Sequence, residues 1–340
     1  MSNSHQTYLQ RLFLSLWYQK KYSAVFFLLL PLSLILRALV PIRRHFLSRR
    51  TRPFKVPIVV VGNITVGGTG KTPVVIAIAQ ALVEQGLQVG IISRGYGGTY
   101  QSCQMVDGNT DVKQSGDEAL LIAQQTHCPV AISRKRNQAV ELLLENHPHT
   151  DIIVSDDGLQ HYSLKRNFEI VVIDGERKIG NGFCLPAGPM REPRSRLNSV
   201  DWVLVNKNDE IAMDFSSTPV NNIQLRPAGW HHLKTKRTVA LSPLPWSAKD
   251  SPVTAIAGIG NPERFFDSLR QLKIDARTIA FDDHHRFTKK DFDTLSEPLV
   301  MTEKDAIKCI RFAKHNWWSL QVKVTLPQAL IHSVIKLASQ

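Results

Sequence analysis

A glycine-rich loop set between an apolar strand and a helix constrains this chain more than any other feature. Ile58 to Val61 is a short β-branched run, the composition of a strand covered on both faces. Thr65-Val66-Gly67-Gly68-Thr69-Gly70-Lys71-Thr72 follows, and Val74 to Val83 then runs apolar with no breaker, as a helix does. Strand, glycine loop, Gly-Lys-Thr and helix together predict a phosphate cradle. Backbone N–H groups face the anion, the lysine reaches the β- and γ-phosphates, and the threonine hydroxyl ligates Mg²⁺. The loop departs from the common G-x-x-x-x-G-K-[ST] spacing at Thr65, with its glycines at Gly67 and Gly68 instead. A glycine turn that binds nothing is the weaker alternative, because strand and helix bracket it correctly.

The rest of the chain alternates strand and helix signals. Apolar runs at Val89–Ile92, Val130–Ile132, Ile152–Val154, Ile170–Ile173 and Trp202–Val205 are separated by helical stretches such as Arg136–Glu145. That alternation predicts an α/β fold, a parallel sheet of the P-loop NTPase type with helices on both faces. Ligands of such sheets sit at the carboxyl ends of strands. The polar, proline-containing stretch 206–249 reads as an irregular interdomain linker. Val253 restarts the pattern, so 51–205 is expected to be a nucleotide-binding domain and 250–340 a second, smaller α/β domain.

Charge is unevenly spread. The net +13 comes mostly from the first 55 residues, where ten Lys and Arg (Arg11, Lys20, Lys21, Arg37, Arg43, Arg44, Arg49, Arg50, Arg52, Lys55) meet no Asp or Glu. Basic segments suit nucleic acid or anionic membrane. The uncharged run Tyr22–Leu36 between the basic clusters decides for membrane. Residues 1–50 therefore read as a membrane-associated helix, kinked at Pro31, either spanning or lying on the bilayer. No nucleic-acid partner and no obligate protein partner is expected. Cys103, Cys128, Cys184 and Cys309 have no paired spacing, which suits reduced thiols in a cytosolic body.

Several polar clusters fall at predicted strand ends. Asp156-Asp157 follows an apolar strand, where a carboxylate holds Mg²⁺ directly or through water. Asp117 opens a helix after Gly116 and could accept a proton from a hydroxyl nucleophile, or simply cap the helix. Arg191, in the stiff Pro186–Pro193 loop, is a candidate transition-state cation. Asp282-Asp283-His284-His285 could be a metal site or a polar turn.

Taken in order, Gly67–Pro73, Ser93-Arg94-Gly95-Tyr96-Gly97, Gly116-Asp117-Glu118, Asp156–His161, Pro186–Glu192, Asp283-His284-His285 and Thr302–Ala306 resemble the tetraacyldisaccharide 4′-kinase, or lipid A 4′-kinase, family. The resemblance spans nearly the whole chain. It implies transfer of the γ-phosphate of ATP, with Mg²⁺, to the 4′-hydroxyl of a tetraacylated glucosamine disaccharide 1-phosphate, giving lipid IVA on the cytoplasmic face of the bacterial inner membrane. Carried over by position, Thr65 to Thr72 hold ATP, Thr72, Asp156 and Asp157 the metal, and Arg191 a phosphate. Asp117 is the catalytic base, and His284, with His285 as the alternative, its partner on a domain that closes over the site. A different class stays open. Asn206-Lys207-Asn208-Asp209 resembles the guanine-reading motif of GTPases, and a membrane-bound P-loop switch would share the phosphate loop. Against the switch, Val66 stands where partitioning ATPases carry a lysine.

Overall fold

The apolar runs become strands because their β-branched side chains can be covered on both faces. The computed structural model describes residues 8–18, 23–207, 218–246, 253–295 and 298–339. Two helices come first, α1 (Tyr8–Tyr18) and α2 (Ala24–Ser48). The first sheet and its helices follow as β1 (Ile58–Gly62), α3 (Lys71–Glu84), β2 (Val89–Ser93), β3 (Cys103–Val106), α4 (Val112–Ser115), α5 (Asp117–Thr126), β4 (Val130–Ser133), α6 (Arg136–Asn146), β5 (Ile152–Asp156), β6 (Phe168–Asp174), β7 (Trp202–Asn206) and β8 (Val220–Ile223). The second contains β9 (Leu225–His232), β10 (Thr238–Val239), β11 (Val253–Ala257), α7 (Pro262–Gln271), β12 (Ala276–Ala280), β13 (Leu299–Thr302), α8 (Glu303–Cys309), β14 (Trp317–Val324) and α9 (Gln328–Ala338).

Among the described residues the first sheet has 8 strands in the order β3-β4-β2-β5-β1-β6-β7-β8, and the second has 6 in the order β10-β9-β14-β13-β11-β12. Every pairing in the first sheet is parallel except β3 with β4. β1 is buried along its length. Alternate side chains point to opposite faces, so Val59 and Val61 join a core with Ile78, Leu82 and Ile122, while Ile58 and Val60 join one with Leu143 and Leu197. Register places the functional carboxylates: Val61 pairs with Asp156, and Asp174 with Asn206. All of these fall at the carboxyl edge, beside the phosphate loop.

The two sheets share a seam. α5 packs on α8, and α3 touches β14 and α9. Ile307, Leu330 and Val334 belong to the same buried core as Ile78 and Leu82.

One expectation needs correcting. The stretch 206–249, read as irregular, supplies β8 to the first sheet and β9 and β10 to the second, with Gln224 alone between β8 and β9. Its polar residues fall at partly exposed positions of β8 and β9. Residues 208–217 and 247–252 lie outside the described residues, as do Lys20 and Lys21. Pro31, expected to kink the N-terminal segment, lies with Pro41 inside the 25-residue α2.

α1 and α2 lie against the body. Trp17 Nε1 donates to Pro186 O at 2.9 Å, and Ser33 Oγ to Cys184 O at 2.6 Å. Phe26 stacks edge-on against Phe183, Arg43 lies over the Tyr162 ring, and Arg44 donates to Ser199. The outward face of α2 exposes Leu28, Leu32, Ile35, Leu39, Ile42 and Phe46, an apolar stripe at alternating four- and three-residue spacing.

Candidate active site

The phosphate loop needs glycine at two places for identifiable reasons. Gly67 has φ +104° and Gly70 φ +89°, left-handed backbone that side chains resist. A Cβ on Gly70 would also meet Asn206 Nδ2 at 2.7 Å. The loop is braced from below, where Val66 N donates to Pro189 O at 2.9 Å, Thr65 bridges to Met190, and Arg191 N donates to Ile64 O. Thr65, the position where glycine is absent, is buried in that brace. From above comes the turn after β11, where a Cβ on Gly260 would meet Gly68 N at 2.8 Å. Arg177 donates to Gly260 O, and Arg264 pairs with Asp174 at 2.7 Å. The enclosed cleft measures about 610 Å³ and is lined by Gly67 to Thr72 and by residues of both sheets.

On the loop side lie two carboxylates of different character. Asp157, with φ +45°, reaches Lys71 at 3.6 Å and Arg191 at 3.4 Å. Burial would push Asp157 up, but Lys71 and then Arg191 outweigh it and hold the group at about 2. The Asp156 carboxyl is enclosed and accepts from Ser93 Oγ at 3.1 Å. Burial first, then the negative charges of Glu118 and Asp157, push it up to about 7. Arg136 lies beneath it, bonded to Asp156 O at 2.7 Å, and is itself lowered to about 10 by burial. Asp157 Oδ1 is buried without a hydrogen bond. An under-partnered carboxylate beside a Lys-Thr loop fits a divalent cation bound to phosphate oxygens, with Thr72, Asp156 and Asp157 on the cleft wall to hold it.

Across the cleft sits the third acid. Asp117, 5% exposed at the start of α5, has both oxygens 3.1 Å from His284 Nδ1 and one 3.8 Å from Lys308 Nζ. Burial favours its neutral form. The His284 hydrogen bond and the Lys304 and Lys308 charges overcome that and hold it at about 2. His284 itself adopts φ +59°, a strained position of the kind that collects at functional sites. His285 turns away, toward Asp291 and between Phe281 and Phe287. The structure thus selects His284 over His285 as the residue beside Asp117.

The sequence-predicted residues converge on this cleft with three exceptions: Asp117 sits just behind the wall formed by Glu118 and His284. Thr65 and Val66 lie under the loop rather than on the cleft wall. Asn206 donates to Thr69 O at 3.3 Å and so braces the loop; Asn208 and Asp209 of the guanine-reading resemblance lie outside the described residues. Sequence reasoning gave no role to Lys304 and Lys308, which stand one turn apart on α8. It also missed His161, whose imidazole burial and then Arg136 push down to about 4. The four-residue spacing of the lysines was visible, but nothing local tied them to Asp117.

Comparison with known proteins bears on the family and the fold. Residues 25–339 match a family described as tetraacyldisaccharide-1-P 4′-kinase. The chain is 42% identical over 319 residues to the tetraacyldisaccharide 4′-kinase of Idiomarina loihiensis, covering 92% of this chain and 93% of that protein. To the enzyme of the same name from Pasteurella multocida it is 44% identical over 328 residues, covering 94% and 96%. Its fold resembles the crystal structure of "apo" form LpxK from Aquifex aeolicus in complex with ATP, with TM-score 0.76 and 26% identity over 91% of this chain and 98% of that one.

One wall residue yields a pH test. Glu303 accepts from Val322 N at 3.2 Å and from the Gln125 side chain, and burial pushes it up to about 7. The folded state therefore holds a proton that the unfolded state releases near its ordinary value, and stability falls as pH rises through that interval. Glu303→Gln keeps an acceptor and removes the penalty. The variant and wild type are expected to melt together near pH 5 in thermal unfolding, with the variant melting higher at pH 8; equal melting at pH 8 would refute the buried-acid account.

Proposed function

The chain belongs to the tetraacyldisaccharide-1-P 4′-kinase family, and on that premise we propose how its residues carry out the reaction. It is an ATP-dependent kinase that phosphorylates the 4′-hydroxyl of a tetraacylated glucosamine disaccharide 1-phosphate, giving lipid IVA. One observation carries the residue assignment: Asp117 lies 3.1 Å from His284, and His284 lines the same cleft as Lys71 and the phosphate loop.

Gly67 to Lys71 direct backbone N–H groups at the β- and γ-phosphates, and Lys71 supplies a positive charge there. Thr72, Asp156 and Asp157 would hold Mg²⁺, which would supply positive charge to the phosphates. Arg191 stands on the phosphate side beside Asp157. The acceptor hydroxyl attacks phosphorus as the bond to the β-phosphate breaks, and its proton passes to Asp117. A carboxylate held at about 2 is a weak base, so the proton leaves late, after a loose transition state has made the hydroxyl acidic. His284 orients the carboxylate. The first sheet, through β8, acts as the nucleotide-binding unit, and the second sheet, from β9 on, as the unit that closes over it. Gln224, the single residue between β8 and β9, is the natural hinge.

The lipid acceptor explains the N-terminal helices. An 18-residue stretch of α2 has mean hydropathy 2.4, and the helix is long and apolar enough to cross a bilayer, yet its contacts with the body extend from Phe26 to Arg44. A helix fastened along its side lies in the interface rather than crossing it, with the Leu28–Phe46 stripe toward acyl chains and arginines at the headgroups. The reading places the enzyme on the cytoplasmic face of the inner membrane, where ATP is available.

Three measurements test these assignments. With γ-labelled ATP and the lipid disaccharide, Lys71→Ala should lose roughly 10²-fold or more in kcat/KM, a barrier increase of about 2.7 kcal/mol; near-wild-type transfer would sink the loop's role. Asp117→Ala and His284→Ala should each lower kcat with ATP affinity nearly intact, and the double variant should be little worse than the worse single; fully multiplicative losses would argue against a coupled pair. Removal of residues 1–50 should release the protein from anionic vesicles in a sedimentation assay, and undiminished pelleting would reject the anchor.

A further inference from the structure

The Asp117–His284 pair has a third partner on the other ring nitrogen. Lys304 Nζ lies 3.3 Å from His284 Nε2, 3.0 Å from Glu118 Oε1 and 3.7 Å from Asp283 Oδ1. Its position is fixed by the start of α8. Thr302 Oγ1 accepts from Asp305 N at 3.1 Å, and the fully buried Asp305 accepts from Gly258 N at 2.9 Å. His284 N in turn donates to Gly258 O at 3.2 Å. The same glycine therefore joins the helix of Lys304 to the turn of His284.

An ammonium has only N–H groups to offer, and a neutral imidazole donates from one nitrogen while accepting at the other. Lys304 requires a lone pair at Nε2. The ring proton must then sit on Nδ1, where the two Asp117 oxygens can only accept. An unconstrained neutral histidine prefers the opposite tautomer. Asp117 asks for the same proton on Nδ1, so Lys304 and Asp117 hold the ring from opposite nitrogens; the remaining groups facing the ring do not supply this constraint. Asp283 lies 3.9 Å from Nε2, beyond hydrogen-bond reach, and the Tyr96 ring only stacks, with centroids 4.7 Å apart. Lys308 bears on Asp117 and Asp305.

We propose that Lys304 is a positioning residue for phosphoryl transfer: it locks His284 as the Nδ1–H tautomer, and through Glu118 it clasps the α8 unit to the α5 unit on which Asp117 sits. His284 is thereby a fixed donor to Asp117, and the cation on Nε2 closes that nitrogen as a route for the substrate's proton, which remains on Asp117. The inference rests on the reading of Asp117 as proton acceptor.

The test uses the full chain labelled with ¹⁵N-histidine, at mildly alkaline pH. Long-range ¹H–¹⁵N correlation, assigned with His284→Ala, reads the tautomer, and steady-state kinetics read kcat and both KM values. Wild type should show Nδ1–H. Lys304→Met should admit the Nε2–H form and lower kcat roughly 10- to 100-fold with less change in KM for ATP. Lys304→Arg, which keeps donors at that place, should restore the tautomer and much of kcat. An Nε2–H tautomer in wild type overturns the proposal without any variant having to fold. So does Lys304→Met with unchanged tautomer, whether kcat is preserved or falls equally in the Arg variant. Asp117→Ala assayed alongside separates the two ideas: retained activity there defeats the proton-acceptor reading itself, independently of the tautomer.

Discussion

The parallel register of β1 between β5 and β6 is the constraint on which the site depends. Val61 opposite Asp156 puts a carboxylate beside the start of the phosphate loop, and Gly62, pairing Val171, ends the strand under the next turn. A Cβ on Gly62 would meet Leu159 Cβ at 2.5 Å, so the Asp157–Leu159 turn closes directly over the strand end. A one-residue slip would reverse the faces of every side chain in the strand and would part Asp156 from the loop. Burial on both faces makes such a slip costly. The hydrophobic cores thus hold the geometry of the acids as well as the fold.

Charge placement has its own logic across the seam. Asp117 alone in a buried position would be driven toward its neutral form. The second sheet brings His284, Lys304 and Lys308 to it, so the ionised acid depends on the contact between the units. Lys304 depends on the same contact in reverse: burial lowers it, and Glu118, Asp117 and Asp283 more than restore it. Each unit carries charges whose compensation lies on the other, which favours the docked arrangement over separation.

The sequence disclosed what is local. A β-branched run before Gly-Lys-Thr, two aspartates after a second apolar run, and Asp117 opening a helix could all be read from neighbours in the chain. What it hid is non-local or polar. Asp117 and His284 are 167 residues apart, and no spacing links Lys304 to either. The strands β8 and β9 escaped notice because their half-buried and exposed positions carry Asn221, Asn222 and Arg226, residues more common in loops. Asn206 read as part of a base-recognition motif, yet its amide braces Thr69; only the register of β7 beside β6 sets it there.

The loop from Cys184 to Arg191 touches two different environments. One side receives Ser33 and Trp17 from the N-terminal helices, and the other pairs with Val66 at the base of the nucleotide cradle. On the anchoring inferred for α2, this body lies flank-down and meets its acceptor by lateral diffusion. Its turnover then answers to how crowded the acceptor is within the leaflet, in molecules per unit area, while nucleotide still arrives in three dimensions. Diluting the acceptor with inert lipid slows such a catalyst even when the amount in the tube is unchanged.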